Sequence, residues 1–164
     1  MEHINSFFYA CTQEILKCDE VQQLKYFTQH RGTTRLDHSI SVAYHSYRLS
    51  IRLGLTIDNR SLIRGALLHD FFLYDWREQT GRKGQALHGF THPREALNTA
   101  SRQFDLNKTE QNIILRHMWP LTITPPSTRE ALIVSLIDKY CTVKELLKHR
   151  GRIPLKGVPE RTAS

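Results

Sequence analysis

The stretch Leu62-Ile63-Arg64-Gly65-Ala66-Leu67-Leu68-His69-Asp70 constrains this chain more than any other. An apolar run with helical spacing ends in an adjacent imidazole and carboxylate. On a 3.6-residue period His69 shares the stripe of Leu62 and Ala66, and Asp70 that of Ile63, Ala66 and Leu67, so both polar groups point inward. A buried ionised carboxylate is costly unless a cation or hydrogen bonds compensate it, and a metal ion does this well. The same dipeptide also fits a solvated helix C-terminus, so the remaining residues have to decide.

At 164 residues and 19.1 kDa the chain is one domain, long enough for a substantial core. It contains no 18-residue apolar run, so no membrane span is expected. The opening Met1-Glu2-His3-Ile4-Asn5 lacks a signal-peptide layout. Cys11, Cys18 and Cys141 are odd in number and form no CxxC pair, which fits buried thiols in a reducing cytoplasm. The formal charge of +7 is uneven: the stretch 148–164 carries a net +4, leaving +3 for the body. A basic protein attracts phosphate-bearing ligands, although such a tail also fits a flexible, solvated end.

Residues 3–17 place Ile4, Phe7, Phe8, Cys11, Ile15 and Leu16 on one face of a first helix. Asp19 with Gln22 reads as a capping box for a short helix reaching Phe27, and Gln29-His30-Arg31-Gly32 as a break. A helix from about Asp37 to Leu53 has Ile40, Ala43, Tyr44, Tyr47 and Ile51 as its stripe, puts His38 and His45 on one face, and ends at Gly54. Asp58 or Asn59 caps the helix that carries His69-Asp70. From Arg77 to Thr91 there is no periodicity, which predicts a functional or disordered loop. His92-Pro93-Arg94-Glu95 reads as a helix start with His92 at the N-cap. Asn107 and Glu110 form the next capping box, and that helix ends at His117, on the stripe of Ile113 and Ile114. After Pro125-Pro126, Ser127 with Glu130 opens a last helix to about Lys148, with Ala131, Val134, Ile137, Tyr140 and Cys141 as its stripe and Asp138 among them. No segment reads as a strand, so the fold is all-α.

Six metal-competent side chains thus point inward or sit at helix ends: His38, His69, Asp70, His92, His117 and Asp138. None has an obvious Glu or Lys partner in the sequence. Mixed imidazole and carboxylate ligands suit Fe, Mn, Zn, Co or Ni better than Mg or Ca. Six are too many for one tetrahedral ion, whereas a dinuclear centre with a bridging carboxylate uses them all.

This pattern resembles the H…HD…D signature of the HD-domain phosphohydrolase superfamily, over roughly residues 34–146. His92 and His117 match its longer H…HD…H…H…D form. The resemblance implies a compact bundle of about six to seven helices, with N-terminal helices (1–30), the HD domain (31–148) and a basic tail (149–164). It implies one or two divalent transition ions, one held by His38, His69, Asp70 and Asp138, and a second reached through Asp70 and held by His92 and His117. Two ions about 3.5–4 Å apart acidify a bridging water, and the resulting hydroxide attacks phosphorus in line. Cationic side chains then matter for charge. Arg35, one turn before His38, and Arg77, Arg82 and Lys83 on the following loop are candidates for phosphate contact. His88 is a candidate for protonating the leaving group or for extending the second ion's shell, and equally fits a plain loop residue. His45 fits a core hydrogen bond better. Trp76 and Trp119 fit core packing better than stacking on a base.

The activity implied is hydrolysis of a small phosphate ester or anhydride, with a nucleotide as the favoured substrate. Size and ligand order are similar to those of HD enzymes that cleave dinucleoside tetraphosphates. Leu73 stands where cyclic-dinucleotide phosphodiesterases of the superfamily carry lysine, which weighs against that subfamily. A diiron oxygenase of the same fold uses a similar ligand set and is an alternative. A regulatory or nucleic-acid-binding HD module is another, but no basic patch interleaved with aromatics supports nucleic acid as a partner.

Overall fold

The structure, a computed structural model, describes residues 2–30, 32–74 and 82–150, with the backbone alone at 2–5, 30, 82–89 and 148–150. Its α-helices are α1 (Glu2–Leu16), α2 (Asp19–Gln22), α3 (Arg35–Arg52), α4 (Asn59–Leu68), α5 (Arg82–Gln103), α6 (Lys108–Arg116) and α7 (Arg129–Arg150). Among the described residues the only strands are β1 (Thr28–His30) and β2 (Thr33–Thr34), so the molecule is all-α in its architecture. No described helix is long and apolar enough to cross a membrane.

The central helix α4 is buried from Ser61 to Leu68 and packs against α1, α3, α6 and α7. Asp58 caps it by accepting from the Ser61 amide. A Cβ built at Gly65 would lie 2.7–3.0 Å from three atoms of Ile113, so α4 and α6 approach more closely there than any side chain allows. Arg64 crosses the same interface, donating from Nε to Glu110 at 2.6 Å and from a terminal nitrogen to Glu14 of α1 at 2.8 Å. Glu110 also completes the expected capping box with Asn107, so one buried carboxylate fixes both the start of α6 and its seat on α4. Phe8, Cys11 and Ile15 of α1 share one hydrophobic core with α3, α4, α6 and α7.

Several sequence expectations are corrected. The break at Gln29–Gly32 lies in an antiparallel hairpin, with Gly32 turning the chain at φ +77°. Cys18, not Asp19, precedes α2, and Gln22 donates to the Leu16 carbonyl instead of closing a capping box. That helix is continued as a 3-10 turn, Gln23–Tyr26. Helix α5 begins at Arg82 and runs through Pro93, so His92 sits inside a helix, not at its N-cap. Pro93 removes one backbone hydrogen bond from the interior of this helix. Helix α7 is capped by Thr128, which accepts from the Ala131 amide, while Glu130 turns away to the Asp58 amide. Phe7, Ile51 and Tyr140, expected in the core, are 42%, 40% and 53% exposed. Cys11 and Cys141 are buried thiols and Cys18 is half-buried. The basic segment beyond Arg150 lies outside the described residues.

Candidate metal centre

Helices α4 and α6 end at the same place and in the same way. His69 and His117 are their C-cap residues, with helical backbone angles. Each ring turns its Nδ1 back onto a carbonyl of its own last turn, Ala66 at 2.7 Å and Ile114 at 2.8 Å. A carbonyl only accepts, so Nδ1 carries the proton in both rings, and Nε2 is aimed away from the helix with its lone pair. Two helix C-termini also bring their negative dipole ends to this point, which favours a cation.

The other four side chains meet these two. His38, on the first turn of α3, places Nε2 3.0 Å from Asp138 Oδ1 of α7. His69 Nε2 lies 3.7 Å from the same Asp138 oxygen and 3.6 Å from Asp70 Oδ2. Asp70 turns its other oxygen, Oδ1, to His92 Nε2 at 3.3 Å and His117 Nε2 at 3.5 Å. The two Nε2 atoms of His92 and His117 are 2.9 Å apart. All six side chains singled out in the sequence are buried. The structure brings them into one cluster, within which His38, His69 and Asp138, and His69, Asp70 and His117, form two groups whose ligand atoms lie within 4.8 Å of one another.

His69 Nε2 and Asp70 Oδ1 have no hydrogen-bond partner although both are buried, an expensive arrangement for a carboxylate and an imidazole. A cation compensates four imidazole nitrogens and two carboxylates, and these donors suit a divalent transition ion. In the metal-free protein protons supply that charge. Burial opposes charge on His38, but Asp138 and Glu145 outweigh it and raise its pKa to about 10. Burial likewise opposes the His69 cation, which Asp70 and Asp138 nevertheless favour, so its pKa is also raised. Burial alone would raise the Asp70 carboxyl; His69, His117 and His92 hold it well below its ordinary range. His38 and His69 do the same for Asp138. The His117 pKa is lowered, by burial and by the neighbouring His69 and His92.

A family model described as the HD domain matches residues 35–142. The chain belongs to the HD-domain family. This is a superfamily of metal-dependent phosphohydrolases whose members bind divalent metals. No curated protein and no solved structure matches the chain. All six clustered residues lie inside the matched HD domain.

Three partners of the cluster escape a reading of the sequence. Glu145, seven residues after Asp138, accepts from His38 Nδ1 at 3.0 Å and orients that ring. Gln29, on β1, donates from Nε2 to Asp70 Oδ2 at 2.6 Å. Lys139 sets Nζ 2.6 Å from the His117 carbonyl and 3.4 Å from Asp138 Oδ2, with its side chain 36% exposed. Gln29 and Glu145 fall just outside the HD-domain match.

The expected phosphate contacts fare differently. Arg35 is fully buried, not at a mouth. Its guanidinium donates to the Phe72 carbonyl at 2.6 Å and packs 3.7 Å from the Phe72 ring centroid, tying the chain that follows Asp70 to α3. Arg77 lies outside the described residues, as do the side chains of Arg82, Lys83 and His88. His45 is away from the centre, half-buried edge-on against Tyr140 and beside Arg48. Trp119 is half-buried, and its carbonyl accepts from Ser135.

Proposed function

We propose that this HD-domain protein hydrolyses a small phosphate ester or anhydride, with a nucleotide as the favoured substrate class. The observation that carries the proposal is the pair of buried, unpartnered atoms His69 Nε2 and Asp70 Oδ1 at the centre of six converging ligand-type side chains. His38, His69 and Asp138 would hold one divalent transition ion and His92 and His117 a second, with Asp70, whose two oxygens face the two groups, available to both. When bound, such ions acidify water into a nucleophile and neutralise charge on phosphoryl oxygens.

The chain's own residues do the rest. Glu145, Ala66 and Ile114 fix the tautomers of His38, His69 and His117, so that each Nε2 is ready as an acceptor. Gln29 holds the Asp70 carboxylate in place. Lys139 is a partly exposed ammonium beside Asp138 and supplies a positive charge at the rim for a phosphoryl oxygen. Arg77 and Lys83 are assigned to phosphate contact, and His88 to protonating the leaving group.

Metal analysis of the purified protein beside Asp70→Ala, with both assayed on nucleotides and a chromogenic phosphodiester, tests this. We expect about two equivalents of transition metal and phosphate release that is lost in the variant. Metal bound without hydrolysis would redirect the assay to oxygen chemistry. A wild-type protein that takes up no metal on reconstitution would sink the proposal.

A further inference from the structure

Helix α7 is apolar on two opposite faces. Its inner face buries Ala131, Val134 and Cys141 around Asp138. Its outer face exposes Leu132, Leu136, Tyr140, Val143, Leu146 and Leu147 by 41–59% each. At 100° per residue, Leu132, Leu136, Tyr140, Val143 and Leu147 fall within about 80° of one another, a continuous stripe along a helix of 22 residues. A helix apolar all round is ordinarily covered on every side.

We propose that this outer stripe pairs with the same stripe of a second copy of the chain, antiparallel, about a twofold axis between Lys139 and Tyr140. A twofold contact must match itself when reversed. Reversing α7 about that midpoint sets Leu132 opposite Leu147, Leu136 opposite Val143, and Lys139 opposite Tyr140 of the other copy. The Leu132–Leu147 and Leu136–Val143 layers therefore each meet an apolar layer, with Lys139 and Tyr140 paired at the centre, a symmetry that covering by an unrelated partner does not require.

The area fits the same occupant. The six outer side chains expose on the order of 600 Å², the upper end for a patch on a monomer, and approach the roughly 800 Å² that each partner gives to a stable interface. Ile51 of α3, 40% exposed, borders the same groove as Ile137 and Tyr140 and extends the patch. That groove also carries Arg48 and Arg52, which disfavours the chain's own segment 149–164, with Arg150, Arg152, Lys156 and Arg161 against Glu160, as the cover.

Sedimentation of the full chain at micromolar concentration should give twice the 19.1 kDa mass. Leu136→Glu with Val143→Glu sets like charges in both twofold-related layers and should weaken self-association by more than about 100-fold. Leu136→Lys with Val143→Glu places opposite charges across an antiparallel pair and should restore the dimer, whereas in a parallel pair it sets like charges opposite each other. Circular dichroism and metal-induced thermal stabilisation report that each variant is folded. A monomeric wild type overturns the proposal and assigns the face to a different partner. So does a double-glutamate variant that remains dimeric, or a Lys/Glu variant that stays monomeric while folded. Should the double-glutamate variant not fold, the wild-type mass and the Lys/Glu variant still decide.

Discussion

Glu145 shows how much of this centre rests on residues that carry no signature. Its carboxylate meets His38 Nδ1 and makes that imidazole both fixed in tautomer and more basic. Glu145→Gln keeps an acceptor but removes the charge, so metal affinity should fall roughly 10-fold or more with the fold intact, as read by calorimetric titration. The raised pKa of His38 gives a second expectation. Its folded pKa of about 10 exceeds the ordinary 6.5, so the metal-free fold gains stability from His38 that is fully present below pH 6.5 and is lost as pH rises through about 10. Coordination needs the neutral ring, so metal binding at pH 7 must displace its proton. Calorimetry in two buffers of different ionisation enthalpy measures this directly, and a titration with no proton release would contradict a charged His38. Five of the six clustered residues were legible in the sequence because each lies on a buried stripe or at a helix end, whereas His92 was singled out as an N-cap and lies inside a helix. Glu145, Gln29 and Lys139 were not, because each is an ordinary polar residue whose relevance exists only across elements.

At the scale of elements, α4 and α6 are held by a buried charge pair as well as by apolar contact. Arg64 and Glu110 are 5% and 3% exposed, and the removal of one partner leaves the other charge uncompensated. Glu110→Ala should therefore cost about 3–5 kcal/mol in denaturant unfolding. Glu110→Gln, which retains the cap and a hydrogen bond, should cost less. Local chemistry made the caps at Asp58 and Asn107, the stop at Gly54 just after the Leu53 C-cap, and the periodicity of α1, α3, α4, α6 and α7 readable. Pro93 misled because N1 proline and interior proline look alike in one dimension. The hairpin was hidden for a similar reason. Two strands of three and two residues have no period to detect, and Gln29 matters there only because β1 carries it to Asp70.

For the molecule as a whole, the centre is both a site and a joint. His38, Asp70, His92, His117 and Asp138 come from α3, just past the end of α4, α5, the end of α6, and α7, so an ion bound there would fasten elements distant in sequence. At a free metal concentration 100 times Kd, binding should stabilise the fold by about 2.7 kcal/mol. For a chain of this size that is a rise in Tm of roughly 5–10 °C, reversed by chelator, and thermal unfolding with and without metal measures it. Asp70→Ala should abolish most of the rise.

The tight contact at Gly65 reaches further than packing. His69 and His117 stand at the ends of the two helices that Gly65 and Ile113 bring together, and their ring centroids are 4.9 Å apart. The spacing of those rings is therefore gauged one turn upstream, by the one residue type with no side chain to act as a spacer. A Cβ at Gly65 would therefore alter that spacing from four residues away.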